Sequence, residues 1–153
     1  MMNDLDKLSP EDADLVLRAP VMVAILIAGA DGDVDGKEIH AAIAFAKKAH
    51  KNATPSMRKL FDLVSEDFED KLLILMQSYP ADHLRRNEVL AAELQKLNAI
   101  WGHLDPGFAD SYYQSIRAIA RRIAESSGGF FGIRKIGEAE AQYVDLPMVA
   151  PPR

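Results

Sequence analysis

Apolar residues recur along this chain at helical spacing, and none of its segments alternates apolar and polar residues as a half-buried strand would. Ser9-Pro10-Glu11-Asp12 marks a helix start: serine caps, proline suits the first helical position, and the acids face the positive end of the dipole. That helix is expected to break or kink at Ala19-Pro20, since proline lacks the amide hydrogen the helix interior uses. A second helix over roughly 20–30 is apolar nearly all round, which places it inside the domain. After an acidic turn, Asp35 can cap a third helix with Glu38 as its capping-box partner. Ile39, Ile43, Ala46 and His50 share one face of it, and Lys47, Lys48 and Lys51 crowd its end.

Further helices are predicted over about 55–63 and from Ser65-Glu66-Asp67 to Tyr79-Pro80. A long one, capped by Asp82, runs to about Gly102, with Leu90, Leu94, Leu97, Trp101 and Leu104 as its apolar stripe. Asp105 then caps a helix that begins at Pro106 and carries Phe108, Tyr112, Ile116, Ile119 and Ile123 inward. Ser126-Ser127-Gly128-Gly129 stops it, and Phe130 to Lys135 reads as a loop. A last short helix opens at Gly137 and ends before Pro147. The expected architecture is one all-α domain over residues 1–147, a compact bundle of about seven helices around a central apolar helix. Residues 148–153 read as a flexible, proline-rich tail.

The chain is long enough for one domain with a real core, 153 residues at 48% hydrophobic and 27% charged. Its formal net charge of −5 argues against a nucleic-acid partner. Arg85-Arg86, Arg117, Arg121-Arg122 and Arg134-Lys135 can still build a local basic face. The absence of cysteine removes disulfides, thiolate metal sites and thiol nucleophiles, and fits a cytoplasmic location. The first residues are acidic and carry no signal-peptide pattern. The apolar run from Val21 to Ala30 is about half of what a bilayer span needs, so any membrane contact is expected to be indirect.

The segment with the most chemistry is Ala30-Asp31-Gly32-Asp33-Val34-Asp35-Gly36-Lys37-Glu38. Asp31, Asp33, Asp35 and Gly36 match the first half of a calcium loop, but the twelfth position, where such a loop needs a bidentate glutamate, is Ala42. A true EF-hand is therefore rejected. Hard cations favour clustered oxygens, so Ca²⁺ or Mg²⁺ can bind Asp31, Asp33, Asp35 and Glu38 weakly. The competing reading is purely local, with Asp35 and Glu38 capping, Gly32 and Gly36 turning the chain, and the remaining acids facing water.

The stretch Ala28 to Ile39 resembles the signature of the TerB-like superfamily (tellurite-resistance protein B and the DjlA N-terminal-like domains): an apolar helix, Ala-Asp-Gly, and a glutamate opening the next helix. The resemblance implies a compact all-helical domain of two related halves, linked to tellurite resistance and other stress responses, with metal sensing or partner recognition and no established catalysis. A degenerate echo supports it. Lys135-Ile136-Gly137-Glu138-Ala139-Glu140 parallels Asp33 to Glu38, with Glu140 at the place of Glu38 and the aspartates missing. In the family both turns contribute acids, which makes Glu140 a fifth candidate ligand beside Asp31, Asp33, Asp35 and Glu38.

Other residues yield no reaction. His40, His50, His83 and His103 form no zinc-protease pair, and no serine lies in a nucleophile elbow. Gly128-Gly129-Phe130-Phe131-Gly132 lacks the Walker ending and reads as a loop. A protein partner is expected, met by Arg117 and Arg121, one turn apart on their helix, or by Phe130 and Phe131 if these are exposed. The alternative to a cation-binding module is a structural adaptor that uses those surfaces and no metal.

Overall fold

The computed structural model describes residues 4–28, 55–66, 68–128 and 145–152, together with the single positions 40, 41, 43, 44, 48 and 143. Among these residues the protein is all-helical and contains no strand. The α-helices are α1 (Pro10–Ala28), α2 (Pro55–Ser65), α3 (Phe68–Ser78), α4 (His83–Gln95), the single turn α5 (Leu97–Ile100) and α6 (Pro106–Gly128). Short 3₁₀ turns cover Asp4–Lys7 and Trp101–His103. His40, Ala41, Ile43, Ala44 and Lys48 also have helical backbone, and Ile43 is buried while His40 is exposed.

Three helix starts follow their capping chemistry. The Ser9 hydroxyl accepts the Asp12 amide at 3.2 Å, Asp82 accepts the Arg85 amide at 3.0 Å, and Asp105 accepts the Phe108 amide at 3.2 Å. Each satisfies an amide that the first helical turn leaves without an intrahelical partner.

The expected break at Pro20 does not occur. α1 runs through it as one helix of 19 residues. Proline removes the amide that would have bonded to the Val16 carbonyl four residues back. The Tyr112 hydroxyl, arriving from α6, donates to that carbonyl at 2.7 Å in a fully buried setting. The lost backbone bond is thus replaced from another helix. Every residue from Ala19 to Ala28 is also buried, so apolar burial on both sides of Pro20 holds the helix together.

α1 packs against α6, α4, α2 and α5. The stripes read from the sequence point inward: Leu90, Leu94, Leu97, Trp101 and Leu104 on one side, Phe108, Tyr112, Ile116, Ile119 and Ile123 on the other. α2 divides cleanly, with Met57, Leu60, Phe61 and Val64 buried and Arg58, Lys59 and Asp62 exposed. The long helix expected from Asp82 to Gly102 is interrupted at Lys96. There the backbone stays helical (φ −63°, ψ −19°) but the hydrogen bonds tighten to three-residue spacing, Lys96 to Glu93 and Ala99 to Lys96.

Residues 146 and 147, and with them 148–150 of the expected flexible tail 148–153, are tied to the helices. Leu146 and Val149 are buried in the main core cluster. Consecutive turns, Leu146 amide to Tyr143 carbonyl at 2.8 Å and Val149 amide to Leu146 carbonyl at 2.9 Å, shape the segment.

Candidate functional site

Arg117 and Arg121 are the two predicted site residues that the structure describes. They sit one turn apart on α6, as the 3.6-residue period requires, and they share a single carboxylate. Asp145 Oδ1 lies 2.8 Å from Arg121 Nη2 and 3.6 Å from Arg117 Nη2. Gln114, Arg117, Ala118, Arg121 and Asp145 line an open hollow of about 240 Å³. All three charged side chains are more than a third exposed, so water screens the pairs and each is worth little stability. Among the described residues that line it, the balance is two cations to one anion, which suits the hollow to a second acidic group.

An aromatic stack links this hollow to α5. The Arg117 guanidinium lies 5.5 Å from the centre of the Tyr113 ring. Tyr113 meets Trp101 edge-on at 6.4 Å, and Trp101 meets Tyr112 edge-on at 5.9 Å. The Trp101 indole Nε1–H donates to the Ala150 carbonyl at 2.9 Å. Asn98 binds the main chain of the same segment with both ends of its amide: its Nδ2 donates to the Met148 carbonyl at 3.1 Å, and its Oδ1 accepts the Ala150 amide at 2.7 Å. Residues 145–150 therefore run from the arginine pair on α6 to Asn98 and Trp101 on and beside α5. Burial pushes the Tyr112 phenol well above its ordinary range, so this hydroxyl serves only as the neutral donor to Val16.

A larger hollow of about 410 Å³ opens among α1, α2 and α3, floored by Leu17, Val21, Leu63 and Leu75. Its rim holds Arg18, paired with Asp14 at 2.7 Å, and Lys71, whose ammonium donates to the Leu63 carbonyl. Arg18 Nη1 also reaches the Tyr79 hydroxyl at 3.5 Å. Burial raises the Tyr79 pKa, and the charge of Arg18 opposes the rise. Ile74 on the same rim and its neighbour Leu73 are mostly exposed.

Asp31, Asp33, Asp35, Glu38 and Glu140, and with them Phe130 and Phe131, lie outside the described residues. Among the described residues no three His, Asp or Glu side chains are grouped to hold a metal ion. No described helix is long and apolar enough to cross a membrane. Asp145, Asn98 and Trp101 are the residues the sequence reading missed as a group. The available signal was an acid and two aliphatics, Asp145 and Leu146 at the expected end of the domain and Val149 in the proline-rich stretch 148–153 that composition alone marks as loose. Comparison with family models, curated proteins and solved structures finds no match for this chain.

Proposed function

We propose that this chain is a non-enzymatic, TerB-like stress-response module whose output is recognition of a protein partner. In this reading its helices number about seven, arranged as two degenerate halves around the apolar α1, and it works in the cytoplasm. Asp31, Asp33, Asp35 and Glu38, joined by Glu140, hold Ca²⁺ or Mg²⁺ weakly. The supporting observation is where the acidic stretch falls. It follows directly on the buried end of α1 at Ala28 and precedes helical backbone from His40, with Ile43 anchored in the core. Carboxylates concentrated between two anchored helices carry mutual repulsion that a hard cation relieves.

Titration of the full chain with CaCl₂ and MgCl₂, followed by calorimetry and backbone amide shifts, tests the cation. The expected result is saturable shifts at residues 31–38 at up to millimolar metal, abolished in the Asp31→Asn, Asp33→Asn double variant. No response, or an unchanged response in that variant, rejects the site.

The metal-free adaptor is favoured by a separate observation: two arginines of α6 share one exposed carboxylate and leave a net positive hollow. It predicts partner binding that is indifferent to chelator and lost on Arg121→Glu.

A further inference from the structure

We propose that the groove between Asn98, Trp101, Arg117 and Arg121 is a peptide-recognition site, occupied in this structure by the chain's own residues 145–150. Its partner is a protein segment that presents an acid, a leucine next to it and a second aliphatic three residues further on, the pattern of Asp145, Leu146 and Val149. The inference deepens the reading of the protein as an interaction module and rests on it.

Four observations carry it. First, the contacts to the segment are of the kind that read a peptide from outside. Asn98 donates to one main-chain carbonyl and accepts from the next-but-one amide, and Trp101 donates to the carbonyl of that same residue. Such main-chain contacts accept many sequences, and pockets for particular side chains then choose among them. Second, two side chains supply that choice, since Leu146 is fully buried and Val149 is 3% exposed. Third, charge fixes direction: Asp145 stands against the arginine pair at one end, and the indole contact stands at the other. Fourth, the occupant is strained. Leu146 has φ 50°, a left-handed conformation that costs any residue with a Cβ, and it precedes a proline that restricts it further. The resident segment is a latch that competes with the partner, and the apparent affinity for an incoming peptide is set by the fraction of molecules with the latch open.

The test uses the full chain and a fluorescently labelled synthetic peptide of residues 145–152, read by anisotropy. The Asp145→Ala, Leu146→Ser variant opens the latch and should bind the peptide at least tenfold more tightly than the unaltered protein. Adding Asn98→Ala to the open variant should remove that binding, as should aspartate in the peptide at the position of Val149. Thermal melts confirm that each variant is folded. Should the open variant not fold, Ala150→Pro replaces it, because it deletes only the amide that Asn98 accepts and removes no core atom. Equal binding to open and unaltered protein overturns the proposal. So does binding that ignores Asn98→Ala, or dimerisation of the open variant without peptide uptake. Absent peptide binding together with intact metal-induced amide shifts would remove the groove and leave the acidic-turn reading standing.

Discussion

Tyr112 is the residue on which the fold's least expected feature depends. It closes the gap that Pro20 makes in α1 by donating to the Val16 carbonyl. Tyr112→Phe leaves that carbonyl buried without its donor, a loss of about 1–3 kcal/mol. Pro20→Ala returns a backbone amide four residues from Val16, so the same phenylalanine substitution should cost much less in that background. Urea denaturation of the two single variants and the double variant measures the coupling. Equal losses in both backgrounds would contradict the assignment. The hydroxyl also gives a pH signature. An unfolded tyrosine ionises near pH 10, and burial raises the folded value above it. The stabilisation is complete below the unfolded pKa and is lost as pH rises from there towards the folded pKa. Stability of the unaltered protein should therefore fall above about pH 10, more steeply than that of Tyr112→Phe. Leu146 is the opposite case, a residue whose left-handed backbone costs about 1–2 kcal/mol and whose full burial offsets that cost.

At the level of elements, capping and periodicity set most of what was foreseeable. Asp105→Ala removes the oxygen that accepts the Phe108 amide and should destabilise the protein by about 1 kcal/mol, as measured by thermal and urea unfolding. Gly107 lies beside that cap, and a Cβ there would come within 3.2 Å of Asp105 Oδ2, so Gly107→Ala should disturb the same bond. These starts were legible because a cap is a local interaction between residues two or three apart. The stripes of α4, α5 and α6 were legible because helical period is local too. Continuity of α1 was not, because the group that bonds the carbonyl Pro20 leaves open comes from Tyr112, 96 positions from Val16. The clasp on residues 145–150 was hidden for the same reason, with partners 49–52 positions away at Asn98 and Trp101. Proline and small residues look loose until a distant asparagine and indole bind their main chain. Of the candidate site, the arginine pair was visible as an i, i+4 spacing, whereas its carboxylate partner from another part of the chain was not.

Across the whole molecule, the proposed function rests on two features, the acidic stretch and the groove. The acidic stretch is read from residue types and from the helices that flank it. The groove is read from geometry: three main-chain hydrogen bonds, two buried aliphatic anchors and a shared ion pair on one short segment. The proposed interaction module needs a surface that can be exposed and covered, and a resident segment with a left-handed residue, Leu146, would provide one. Trp101 is the sole tryptophan of the chain, so its indole N–H gives one unambiguous resonance that senses the Ala150 carbonyl directly. Recognition of an acidic–aliphatic peptide is tested most directly by following that resonance in the Asp145→Ala, Leu146→Ser variant. Opening should move it away from its position in the unaltered protein, and saturating peptide of residues 145–152 should bring it back. An indole signal that opening does not move, or that peptide does not return, would contradict the groove as a recognition site.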